Sequence, residues 1–255
     1  MTSILDWVLE RAARVAPGQL GAALDELRPG LAEGFGGPFN GQERRLDAVR
    51  DMFAAIPFAV VVETGTFRAT TTMLLRDLTA APIVTVEVNP RYYYYARRRI
   101  SQGQNISLLR GNSPGVLRSI AADAKWNCGP AFFYLDAHWR ADLPLVAELT
   151  AIAQGWRSYV VLIDDFRVPD DPGYTYDDYG PGKVLEPAIL APLAKESLSV
   201  FWPTAPSNSE AGARRGWVVL ATVGPVGDAL RRLPGLRLAG SLADVLNGAG
   251  PLASE

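Results

Sequence analysis

Three aspartates stand where two apolar runs stop. Asp136 follows Ala131-Phe132-Phe133-Tyr134-Leu135, and Asp164 and Asp165 follow Tyr159-Val160-Val161-Leu162-Ile163. Carboxylates converging on one edge repel each other unless something positive sits among them, and an all-oxygen set suits a hard divalent ion such as Mg²⁺. Such an ion would hold a substrate hydroxyl, lower its pKa and fix it in line with an electrophile. The plainer alternative is that one aspartate caps a helix while another pairs with Arg140 or Arg167. His138, the only histidine, follows Asp136 by two residues. Its near-neutral pKa suits a general base, although an isolated histidine is more often structural. Arg140 does not deprotonate in proteins, so its chemistry would be to orient an acidic substrate.

A second group of acids lies upstream. Phe58-Ala59-Val60-Val61-Val62 has the pattern of a strand buried on both faces, and it ends at Glu63. The turn Glu63-Thr64-Gly65-Thr66-Phe67-Arg68-Ala69-Thr70 then enters a helix carrying Met73, Leu74, Leu75 and Leu78. Backbone N–H groups at such a helix start point at a ligand, and Gly65 lets one come close to the chain. A lone glycine is common in any βα turn, so the succession of acids carries the reading. Glu87 closes the next apolar run, Ile83 to Val88, where nucleotide folds place a carboxylate that accepts ribose hydroxyls. Asn112 and Ser113 follow the third run, Asn105 to Leu109, and offer hydrogen bonds to a base.

The elements that must position these residues alternate regularly. Five apolar runs separated by helical patterns specify an α/β, doubly wound, mostly parallel sheet whose ligands bind outside the C-terminal strand ends. Leu198 to Trp202 and Trp217 to Ala221 are separated by a polar loop without room for a crossover helix, so they pair as a C-terminal antiparallel hairpin and complete seven strands. Residues 3–16 and 20–32 are amphipathic and form an N-terminal helical cap, followed by the Gly-rich segment 34–41 and a helix over 42–55. The Gly-rich segment is either a connection or a lid in which Asn40 and Gln42 fold over the ligand. Pro90 to Ile100, with four consecutive tyrosines, reads as a crossover helix of mixed faces with one tyrosine near a base. The loop from Arg167 to Gly182 is long, acidic and leaves directly from Asp165, which makes Tyr174, Tyr176, Asp177 and Tyr179, with Lys183 beyond, the candidate substrate contacts. Residues 203–215, including Ser207, Asn208, Glu210, Arg214 and Arg215, form an opposite wall.

Composition narrows the partners. The 255 residues include 25 basic and 27 acidic side chains, a net charge of -2, which argues against a general nucleic-acid or membrane-surface binder. A single cysteine, Cys128, excludes an internal disulfide. The opening residues lack a basic n-region, and no stretch approaches the ~20 apolar residues of a membrane span. The expectation is a soluble, cytoplasmic protein.

Glu63-x-Gly65 in the first turn, Glu87 ending strand two, Asp136 ending strand four and the terminal hairpin resemble the class I S-adenosylmethionine-dependent methyltransferases over roughly residues 58 to 222. Within them, Tyr134-Leu135-Asp136-Ala137-His138-Trp139-Arg140 with Ile163-Asp164-Asp165 looks like the metal-dependent O-methyltransferases of the catechol and macrolide-sugar types. The resemblance implies a Rossmann-like fold and methyl transfer from S-adenosylmethionine to a hydroxyl of a small molecule, a sugar or phenolic natural product. Glu63 and Gly65 would face the methionine part, Glu87 the ribose and His138 or Trp139 the adenine, with Thr66, Thr70, Val88, Asn112, Ser113 and Asp136 also among the cofactor contacts. Asp136, Asp164 and Asp165 would hold Mg²⁺, with Asp136, His138 and Arg140 at the reaction centre. Ala69 replaces the usual later glycine of the loop, and Arg140 stands where the catechol type has its lysine base. The implied division is a cap over residues 1–57, a cofactor-binding catalytic domain over 58–224 and peripheral helices over 225–255, with the N-terminal helices a surface for homo-oligomers. Two other functions stand beside this one: a methyltransferase-fold protein that binds the cofactor without turnover, and a nicotinamide-dependent oxidoreductase. Against the latter, the first turn lacks G-x-G-x-x-G spacing.

Overall fold

A computed structural model describes residues 4–28, 30–31, 36–100, 105–138 and 143–248. Five strands, β1 (Val60–Thr64), β2 (Ile83–Glu87), β3 (Ile106–Arg110), β4 (Ala131–Leu135) and β5 (Tyr159–Ile163), run parallel in the order β3-β2-β1-β4-β5. The apolar runs of the central strands β1, β4 and β5 are long because both their faces are covered, whereas β3 at the edge is only partly buried. Val60, Val62, Phe133, Leu135, Val161 and Ile163 point into one core, and Val61, Phe132, Tyr134, Val160 and Leu162 into the other. Helices α6 (Ser113–Ala121) and α7 (Leu145–Gly155) close the first core through Leu117, Leu149 and Ile152. The second is closed by α3 (Glu43–Ala55) and α4 (Thr70–Leu78), through Val49, Met52 and Leu75.

The expected antiparallel pair is present. β7 (Val218–Thr222) is antiparallel to both β5 and β6 (Leu198–Pro203) and lies between them. Among the described residues the sheet nevertheless has eight strands, one more than the seven expected. Leu236–Ser241, within a stretch read as helices, forms β8 antiparallel to β6. Leu236-Arg237-Leu238 has the strand period of two after a Pro-Gly turn, and a register shift at Val200/Phe201 accommodates the pairing. The flanking helices are α8 (Pro225–Leu230) and α9 (Leu242–Leu246), the latter closed by a Ser241–Asp244 capping box.

Outside the sheet, α2 (Gly18–Glu26) lies against α5 (Pro90–Arg99), and α1 (Ile4–Val15) lies against α2. Charge ties this corner together: Arg91 grips Asp25 at 2.5 and 2.6 Å, and Arg28 reaches Asp6 at 2.7 Å and Asp25 at 3.2 Å. Among the described residues, no helix is long and apolar enough to cross a membrane.

Candidate active site

The turn after β1 is built around close approach. Gly65 has φ +84°, and a Cβ there would lie 2.3 Å from the Asp136 carbonyl oxygen, so the end of β4 already fills the space beside it. Glycine is thus required by a neighbouring strand end and by a left-handed backbone together. Ala69, also left-handed at φ 59° and ψ 26°, starts α4 where glycine would cost less. Glu63 is buried, and its Oε2 accepts from the Thr72 hydroxyl and, at 2.6 Å, from that of Thr85. Burial pushes its carboxyl up to about 7, against the two hydroxyls that favour the charged form. The Thr66 and Thr85 hydroxyls, 2.6 Å apart, extend the chain.

Glu63, Gly65, Thr66 and Thr70 line one cavity of about 80 Å³ with Asn40, Tyr134, Asp136 and Asp164. Its roof is the segment Pro38–Gly41, where Phe39 and Asn40 are left-handed at φ 51° and 59°. Asn40 thus lies where a lid would. Gln42 instead points inward, its Oε1 3.4 Å from Arg45. The roof is held from behind: Ala213 N–H donates to the Asn40 carbonyl, and Glu210 accepts from the backbone N–H groups of Arg44 and Arg45, at 3.0 and 3.1 Å, at the start of α3.

Glu87 ends β2 with each carboxylate oxygen accepting one backbone N–H, from Phe67 and Asn89, both at 2.7 Å. Burial raises its pKa against these bonds. Phe67 meets Tyr92 edge-on at 4.5 Å, so one ring of the four-tyrosine run does reach this side. Val88 and Asn112 are exposed and Ser113 is buried, at the tips of the adjacent strands β2 and β3 and apart from the cavity lining.

The three aspartates separate into different roles. Asp164 is buried, and both its oxygens are engaged. Oδ1 pairs with Arg45 at 2.6 Å and accepts the Asp165 N–H at 2.7 Å, while Oδ2 accepts the Tyr134 hydroxyl at 2.5 Å. Burial works against its charge, but the Arg45 guanidinium prevails and holds the carboxyl below the usual carboxylate range. The expected trio of Asp136, Asp164 and Asp165 is therefore not what converges here. Among the described residues, the set whose ligand atoms lie within 4.8 Å of one another is Asp136, His138 and Asp165. His138 Nε2 is 3.9 Å from Asp136 Oδ1, 3.7 Å from Asp165 Oδ2 and 3.9 Å from Asp177 Oδ2. Burial opposes protonation of this imidazole, but the carboxylates of Asp165 and Asp136 outweigh it and push the pKa up to about 9. Asp136 is itself raised well above the usual range by burial and by the charge of Asp164. The residues present fit a divalent ion: two carboxylates and a buried ring nitrogen that has no hydrogen-bond partner.

The loop after β5 is sewn to this edge. Asp177 N–H donates to the Asp165 carbonyl at 2.9 Å, and Arg215 grips Asp165 Oδ1 at 2.5 Å and Asp177 Oδ1. Tyr179 donates its hydroxyl to Asp177. Asp177 and Tyr179 thus join the cluster, whereas Tyr174 is turned into the interior with its hydroxyl on the Ala205 carbonyl at 3.0 Å. Tyr176 lies under Arg167, and Lys183 is exposed beyond a backbone turn to Tyr179. Trp139 and Arg140 fall outside the described residues.

Two further residues belong to the site: Arg45, and Tyr134, which lies in the motif Tyr134–Arg140 but carries no site role there. Arg45 is fully buried among the rings of Phe39, Tyr134 and Trp217. Its spacing from Val49 and Met52, i, i+4 and i+7, puts it on the core face of α3, and a charge at such a position was the available signal.

No family model matches the chain, and no curated protein sequence does. Solved structures do. Cofactor-bound Rv0187 from MTB aligns with a TM-score of 0.50 at 17% identity, over 88% of this chain and 100% of that one. A candidate caffeoyl-CoA O-methyltransferase from Staphylococcus aureus aligns at 0.51 and 12% identity over 86% and 98%. A candidate O-methyltransferase from Klebsiella pneumoniae aligns at 0.50 and 14% over 88% and 98%. At these identities the likeness establishes a shared fold.

Proposed function

We propose that this chain, which shares the fold of those proteins, is an S-adenosylmethionine-dependent O-methyltransferase acting on a hydroxyl of a small molecule, a sugar or phenolic natural product. The observation that carries the reading is the arrangement of Glu63, Glu87 and Asp136 at the tips of β1, β2 and β4, beside the carboxylate–imidazole cluster of β4 and β5. Glu63 would accept from the cofactor's amino group, an acid there being unsuited to a pyrophosphate. The Glu87 carboxylate retains lone pairs for the ribose hydroxyls beyond the two N–H groups it accepts.

Transfer is a displacement in which the acceptor oxygen attacks the methyl carbon as the C–S bond breaks and sulfur takes the electron pair. The chain's work is positioning, plus removal of the hydroxyl proton. The group placed to take that proton is Asp136, which stands at the tip of β4 and lines the cavity. A divalent ion, Mg²⁺ by the resemblance, would be held by Asp136, His138 and Asp165 and would supply orientation and a lowered hydroxyl pKa. The reading includes a cytoplasmic setting, in keeping with the one free, exposed cysteine. It also includes a second copy of the chain as partner, on the apolar face of α1.

Calorimetric titration with S-adenosylmethionine, followed by labelled-methyl transfer to a panel of phenols and sugars, tests the reading. Binding and transfer are expected, with Asp136→Asn lowering kcat/KM by about 100-fold or more. Absence of cofactor binding ends it.

A further inference from the structure

Asp164 and Asp165 are adjacent acids at one strand end, yet they face different charges. Asp164 is enclosed with Arg45, whose side chain is 0% exposed, and its remaining oxygen holds the Tyr134 hydroxyl. To ligate an ion it would have to abandon a buried guanidinium that has Asp164 as its salt-bridge partner. Asp165, by contrast, gives Oδ1 to Arg215 and leaves Oδ2 facing the imidazole of His138. That imidazole is 2% exposed, and its Nε2 has no hydrogen-bond partner although three carboxylate oxygens stand 3.7 to 3.9 Å away. Those separations are too long for hydrogen bonds. They are near the roughly 3 to 4 Å expected between two ligands of one ion, each about 2.1 Å from it. Of the three oxygens, Asp177 Oδ2 already accepts the Tyr179 hydroxyl, which leaves those of Asp136 and Asp165.

We propose that the cation site of this chain is the mixed oxygen–nitrogen face of Asp136, His138 and Asp165, that Arg45 excludes Asp164 from it, and that the site therefore selects a first-row transition ion over Mg²⁺. Imidazole favours the later first-row ions, whereas Mg²⁺ takes oxygen donors in near-ideal octahedral geometry. Arg45 acts as a positioning residue: by occupying Asp164 it replaces an all-oxygen set with one containing nitrogen.

The inference rests on the reading of the β4–β5 edge as the reaction centre, but its test needs neither cofactor nor acceptor. The full chain is titrated with Co²⁺ and with Mg²⁺ by calorimetry, and the visible absorption of Co²⁺ reports nitrogen ligation. Co²⁺ is expected to bind at least 100-fold more tightly than Mg²⁺. His138→Gln should lose about 10-fold or more in Co²⁺ affinity with little change for Mg²⁺, narrowing that ratio. Asp165→Asn should lose both ions, while Asp164→Asn should change Co²⁺ affinity by less than about threefold. Because Asp164→Asn leaves Arg45 unpaired, the double variant Arg45→Met, Asp164→Leu provides a second, neutral removal of the pair and should retain the Co²⁺ spectrum. Loss of Co²⁺ binding in the folded double variant, or Mg²⁺ binding as tight as Co²⁺ in the natural chain, overturns the proposal. If S-adenosylmethionine fails to bind while this metal pattern appears, the methyltransferase reading falls and the site stands; the converse result separates them the other way.

Discussion

Arg45 leaves α3 with its guanidinium enclosed by three aromatic rings, and its charge is balanced by Asp164 at 2.6 Å. Removing one member of such a pair strands a buried charge, whereas removing both does not. Arg45→Met alone should therefore cost about 3–5 kcal/mol in a denaturant titration, and Arg45→Met with Asp164→Leu should recover most of it. Glu63 makes a prediction of different sign. Its carboxyl rises from 4.5 to about 7 on folding, so the folded chain holds a proton that the unfolded chain releases. That contribution is fully present below pH 4.5 and is lost as pH climbs through 7, a change of about 3 kcal/mol at 1.36 per pKa unit. Glu63→Gln should flatten the fall in Tm between pH 5 and 8, and a fall as steep as that of the natural chain would count against this assignment. The acids were legible in the sequence because each ends an apolar run and so must emerge at a strand tip. Their division of labour was not. Whether Asp164 or Asp165 turns inward depends on a left-handed backbone at Asp165, φ 53°, and on an arginine 119 residues away in the chain.

At the scale of elements, the Pro38–Gly41 roof sits over a cavity of about 80 Å³, far below the roughly 300–1,000 Å³ of sites that enclose drug-sized ligands. If the proposed cofactor binds here, the segment that carries Asn40 is expected to shift to make room for it. Hydrogen exchange should accordingly change on S-adenosylmethionine binding over residues 36–42 and at residues 210–213 behind them, while β1 and β4 stay protected. Unchanged exchange in 36–42 with cofactor bound would mean that the roof is fixed. The Gly-rich composition pointed to a connection or a lid without deciding between them. Gly212 abuts the Asn40 carbonyl so closely that a Cβ would stand 2.2 Å from it, a packing that composition does not reveal. β8 was missed for a related reason. Six residues with a glycine near the end give too short a pattern, and their partner strand β6 is recognised only once it is placed at the outer edge of β7.

At the scale of the molecule, the parallel sheet was readable because burial on both faces writes itself as uninterrupted Val, Ile and Phe, and the antiparallel end because the loop before β7 is too short for a crossover helix. Quaternary structure has no such signature. Ile4, Leu5, Trp7, Val8 and Val15 on α1 are exposed, Ile4 by 85% and Val15 by 86%. If a second copy covers this face, light scattering should give a dimer mass for the natural chain and a monomer mass for Trp7→Glu with Val8→Glu; a monomer in both cases removes the dimer. One span of chain, residues 210–216, touches both halves of the site. Glu210 and Ala213 secure the segment over the cavity, and Arg215, two residues on, clasps Asp165 and Asp177. On the proposed reading, a donor that displaces the segment over the cavity would also disturb the clasp, and the acceptor would find its side complete only afterwards. The expected kinetic signature is compulsory order, with the methyl donor binding first and its demethylated product leaving last. Initial-rate studies should then find that product competitive with the donor alone, and random-order patterns would uncouple the two halves.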